Sequence, residues 1–166
     1  QGRTRNCGPY ATAMALSFYF SEPVSPATVA ERMHRLRVPW LGATLPWGVA
    51  ATVRAFGLSP MTSYFGRLHH LKHHLRHDRP VIVIVRPLDL LNHHFYDLHY
   101  RVLVGYRDDS SLPGGGELFF NCSSAPPRCE EAQPGNVALS YDSFLRQWSV
   151  AGLFRWYCAI AALGRK

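Results

Sequence analysis

Apolar side chains follow two different spacings along the chain. In the first half they recur every three to four residues. From Tyr10 onward Ala11, Met14, Ala15, Phe18 and Tyr19 predict a buried helix that enters through Cys7-Gly8-Pro9 and runs to Phe20. Proline suits a first helical turn, which fits that entry. Ser25 reads as the N-cap of a second helix, with Pro26 at its first position and Val29, Met33 and Leu36 as its stripe. The stretch 38–42 breaks it. Thr44 reads as the cap of a third helix, with Pro46 in its first turn, Val49, Val53 and Phe56 facing inward, and Gly57 at its end. A fourth helix spans 67–77, with Leu68, Leu71 and Leu75 inward.

From Pro80 the period shortens. Val81 to Val85 is a β-branched run suited to a central strand. Residues 88–98 read as an irregular loop. His99 to Tyr106 and Glu117 to Asn121 read as a strand hairpin around a turn rich in Asp, Ser and Gly. A Pro-rich loop covers 123–135. A short helix spans Tyr141 to Trp148, with Phe144, Leu145 and Trp148 inward, and a last strand spans Phe154 to Leu163. Helices first and strands second predict an α+β fold. No repeat or linker interrupts the pattern, so residues 1–166 are expected to form one domain.

Composition narrows the partners. The 166 residues are 47% hydrophobic and 13% aromatic, which suits a packed core. No apolar run is long enough for a membrane span. The sequence has no initiator Met and reads as an excised domain or mature fragment. The net charge is +7, but Lys and Arg are scattered rather than gathered on an aromatic-interleaved helix. That argues against nucleic acid and for a mildly basic, soluble surface, with the chain expected to be a monomer. The four cysteines are Cys7, Cys122, Cys129 and Cys158. A Cys122–Cys129 disulfide would close a short loop and indicate a secreted or exported protein; two thiols there would fit the cytoplasm. The fourth helix carries His69, His70, His73, His74 and His77. Two His at i, i+4 can hold zinc. Asp78 is the one carboxylate close in sequence and no HExxH occurs, so a solvated basic face is expected, with no metal and no cofactor.

The chemistry concentrates at Cys7. A thiol at a helix N-terminus meets the positive end of the macrodipole, and Arg3 and Arg5 add charge, so the setting favours thiolate. Gln1, five residues, then Cys7-Gly8 at a helix start resembles the peptidase domains of bacteriocin exporters. Those are papain-like cysteine peptidases that cut leader peptides after a double glycine. The resemblance implies a peptide or protein substrate, and N-terminal helices packed on a C-terminal antiparallel sheet. It assigns Cys7 as nucleophile, and the Gln1 side chain with the Cys7 N–H as the oxyanion hole. It also implies that the segment Trp40-Leu41-Gly42 lies near the cleft. In the family the catalytic His opens a strand of apolar residues ending in Gly-Tyr, matched by His99 with Gly105-Tyr106. His93 and His94 are rivals in a loop. The family's Asp on the next strand is missing. Asn121 has a suitable oxygen to accept the imidazole N–H, so it is the expected third member. The resulting expectation is a cysteine peptidase with a Cys7–His99–Asn121 site. A papain-fold effector or acyltransferase using the same Cys-His pair on a protein is the alternative.

Overall fold

The computed structural model describes residues 6–34, 43–86, 98–122, 137–151 and 154–163. Gln1, Leu36, the 40–42 segment, His93, His94 and Cys129 lie outside them. So does the test of a Cys122–Cys129 disulfide.

Three helices lead: α1 (Cys7–Ser17), α2 (Pro26–Met33) and α3 (Pro46–Ala55). Ser25 caps α2, its hydroxyl accepting from the Ala27 amide at 3.2 Å. The α1 helix stops at Ser17, three residues before the Phe20 expected from spacing, and Phe18 and Phe20 are exposed. The N-cap of α3 is Leu45 rather than the expected Thr44. Gly57 follows the end of α3 at φ +75°, where a side chain would be strained.

Strand β1 (Leu58–Ser63) then forms, followed by α4 (Leu68–Leu75), β2 (Val81–Val85), β3 (His99–Asp108), β4 (Gly116–Cys122), β5 (Val137–Ser140), α5 (Tyr141–Ser149) and β6 (Tyr157–Ala162). β1 and β5 are strands that the apolar pattern does not announce. Each is an edge strand of a six-stranded antiparallel sheet ordered β1-β6-β2-β3-β4-β5. An edge strand needs one hydrogen-bonded neighbour and one covered face, so it tolerates Ser59, Thr62 and even Pro60. The last strand starts at Tyr157 rather than Phe154, because Phe154 and Arg155 take left-handed backbone angles of +51° and +63° in φ.

Helices cover both faces of the sheet. Ile82, Ile84, Tyr100 and Val102 pack under α1, α2 and α3, with Trp156, Cys158 and Ile160 beside them. Val81, Val83, Val85 and Leu103 pack on the opposite face with Leu71 of α4 and Phe144 and Trp148 of α5. This explains the unbroken apolar run of β2: both of its faces are buried. No helix among the described residues is long and apolar enough to cross a membrane.

Candidate active site

The first turn of α1 is built from Cys7, Gly8 and Pro9, with Asn6 as N-cap residue. The Asn6 carbonyl accepts the first helical bond, from the Tyr10 amide at 3.0 Å, while its side chain makes no cap. Pro9 has no N–H. The amides at this positive end are therefore those of Cys7 and Gly8. The Cys7 side chain is half-buried against the α1 face of the core.

The direction of α1 decides what Cys7 meets. Just beyond its C-terminal end, the Tyr19 hydroxyl donates to the Ile160 carbonyl at 2.5 Å. The Ile160 amide donates to the carbonyl of Pro80, the residue before β2. The C-terminal end of α1 thus lies where β2 begins. Eleven helical residues span about 16 Å, so the N-terminal end reaches toward the far end of β2. There Val85 pairs with His99, the first residue of β3.

Contacts between α1 and β3 close this arrangement. The buried Tyr100 hydroxyl donates to the Thr44 carbonyl at 2.8 Å. Thr44 in turn lies over Gly8: a Cβ on Gly8 would come within 2.7 Å of all three Thr44 side-chain atoms. The Tyr100 ring meets Trp156 edge-on, with centroids 6.1 Å apart. Burial pushes the Tyr100 phenol well above its ordinary range, and the nearby Cys7 and Cys158 thiols and the Tyr64 hydroxyl push it further. Cys7 and His99 are thus one residue either side of a continuous contact chain, Gly8 to Thr44 to Tyr100.

Asn121 sits on β4 opposite Val102, three residues along β3 from His99, or about 10 Å of strand. Val102 faces α1, and Asn121 as its cross-strand partner shares that face. Strict alternation puts Tyr100 on that face too and Arg101 on the other. By the same alternation the His99 Cα–Cβ bond starts toward the Arg101 face, at the end of the strand.

The other cysteine is a different environment. Cys158 is fully buried in the core, and desolvation raises its thiol to about 12. The histidines of α4 are partly as expected. His77 sits with its Nδ1 2.8 Å from the His73 carbonyl, and the His73 and His77 rings lie 4.5 Å apart. His74 departs from a solvated face: it is buried beside Tyr157, and desolvation lowers it to about 4. No group of three or more metal-ligating side chains occurs among the described residues. Two shallow surface depressions, of about 560 and 360 Å³, lie instead around α5 and the Phe65–Phe154 ring pair.

Thr44 and Tyr100 are the residues beside the candidate site that spacing alone misses. Thr44 looks like a helix cap, and Tyr100 looks like any inward strand residue. The one available signal is that Tyr100 directly follows the His that opens the strand.

Solved structures share this fold. The peptidase domain of Streptococcus ComA, a bifunctional ABC transporter involved in a quorum-sensing pathway, superposes with a TM-score of 0.67. It is 18% identical over 98% of this chain and 96% of its own. A protein from Bacillus anthracis described as a C39-like peptidase superposes with a TM-score of 0.69 at 13% identity, covering 97% of this chain and 90% of its own. Both have the same helix-and-antiparallel-sheet fold. No curated protein matches the chain. The model of the Peptidase_C39 like family matches residues 1–121, which hold Cys7, His99 and Asn121 together, and the chain belongs to that family.

Proposed function

We propose that the protein is a cysteine peptidase that hydrolyses a peptide bond of a peptide or protein substrate within one domain. The observation that carries this reading is the direction of α1, which brings the Cys7 end of the helix to the end of the sheet where His99 opens β3. Cys7 acts as thiolate and His99 as imidazolium. The sulfur attacks the scissile carbonyl carbon and the oxygen takes the negative charge. The Cys7 amide and the Gln1 side chain donate to that oxygen. The His99 proton passes to the leaving amine as the C–N bond breaks and a thioester forms. His99 then takes a proton from water, the resulting hydroxide attacks the thioester, and the acid leaves as the thiolate returns. Asn121 orients the His99 ring. The resemblance to leader-cleaving peptidase domains favours a substrate with a double glycine before the cut.

The test is mass analysis of peptides carrying an internal double glycine after incubation with the protein. The expected products are a new carboxylate and a new amine that together weigh one water more than the substrate. Cys7→Ala and His99→Ala should each remove at least about 10³-fold of the rate. Transfer of the acyl part to an amine, with no gain of water, would replace hydrolysis by the acyltransferase alternative. Cleavage that survives Cys7→Ala would remove the reading altogether.

A further inference from the structure

The two reacting groups of the proposed site stand on different elements, a helix and a strand, so something must hold their spacing. We propose that Tyr100 is a positioning residue that sets the distance between Cys7 and His99, acting through Thr44 and Gly8. This rests on the Cys7–His99 reading above.

Three observations carry it. Tyr100 follows His99 directly, and its side chain is held on two sides. The ring meets Trp156 edge-on, and the hydroxyl reaches the Thr44 carbonyl at 2.8 Å. Thr44 is held in turn against Gly8 so closely that no side chain fits at position 8. Gly8 follows Cys7. The Thr44 hydroxyl is buried and makes no hydrogen bond among the described residues, so its side chain meets Gly8 through packing alone. Movement of the α1 terminus away from β3 would have to open one of these contacts. A nucleophile and base must stay in hydrogen-bond reach, and an error of about 1 Å can cost a hundredfold in rate.

The test is the pH dependence of Cys7 alkylation by iodoacetamide, which needs no substrate. In the unaltered protein a thiolate–imidazolium pair gives an acidic inflection in the labelling rate, and His99→Ala removes it. Tyr100→Phe keeps the ring and deletes only the hydroxyl. It should move that inflection up by about one unit and lower kcat on a cleaved peptide about 10- to 100-fold with KM unchanged. Thr44→Ala keeps the carbonyl that Tyr100 bonds and deletes two of the three side-chain atoms lying on Gly8, Oγ1 and Cγ2. It should act in the same direction, and it decides the question if Tyr100→Phe does not fold. A purely structural role would lower the melting temperature and leave the profile in place. Folded variants with the unaltered profile and kcat would therefore overturn the proposal. A missing acidic inflection in the unaltered protein is a separate result: it defeats the Cys7–His99 reading and takes the positioning role with it.

Discussion

Helices α1 and α4 lie on opposite faces of one sheet and are held very differently. Seven of the eleven residues of α1 are buried, Gly8 and Pro9 of its first turn among them. On α4 only Leu71 and His74 of eight are buried. The α4 surface is polar, and its histidine rings lie against one another. Five histidines in eleven residues are the denser cluster, yet the sequence already concentrates its chemistry at Cys7. The fold adds a physical reason for that ranking: preorganisation depends on burial of the supporting element and not on the number of reactive side chains.

Gln1 offers the largest break in this comparison short of the reacting pair itself. A neutral amide can donate to the oxyanion without changing the charge of the thiolate–imidazolium pair. Loss of one such donor costs about 10²–10³ in turnover. Gln1→Ala should slow turnover by that factor while Cys7 keeps its alkylation rate. A parallel fall in both would mean that Gln1 supports Cys7 instead, and no change would take it out of the site.

Asn121 should have a smaller effect. It is neutral where the family uses Asp, so it supports imidazolium less than a carboxylate would. Asn121→Ala should lower kcat about 10-fold or more with KM nearly unchanged, and Asn121→Asp should keep or raise it. Its register, three residues along from His99 on the α1 face, makes this the sharpest test of how the His99 ring turns. Full activity in both variants would place the third member elsewhere.

On the α4 side the expected effects concern stability. Folded His74 is held neutral by burial, well below its unfolded value near 6.5. Its contribution is therefore complete above pH 6.5 and fades as pH falls toward about 4, because the unfolded chain takes up a proton that the folded one resists. The melting temperature should drop by a few degrees between pH 7 and 4.5, and His74→Gln should flatten that slope. A slope unchanged by His74→Gln would assign the acid sensitivity to other groups. The smallest effect belongs to the exposed ring: His69→Ala with His73→Ala should leave turnover and melting within error, and elemental analysis should find no stoichiometric zinc. About one zinc per chain, lost in the double variant, would make α4 a site after all.

Much of this was legible before any coordinates. Ser25-Pro26 starts α2, Val81–Val85 is the central strand, and Tyr141–Ser149 is α5, because in each the local signal and the tertiary role agree. The β1 and β5 edges were not legible. Their pairing with β6 and β4 comes from distant or polar segments that no short window contains. At the candidate site, Cys7 and His99 stand out in the sequence by type and by the element that each opens. Thr44 does not, since its contacts are made by a backbone carbonyl and by shape, neither of which a residue type announces.

The central claim is that Cys7 is a nucleophile and not merely a cysteine near a helix end. Iodoacetamide labelling of the native protein at neutral pH, mapped by mass spectrometry, tests it against an internal reference. Cys158 is buried, with its thiol raised to about 12. The account predicts that Cys7 is modified far faster than Cys158, with that advantage lost in His99→Ala. Equal labelling of the two thiols in the folded protein would contradict it.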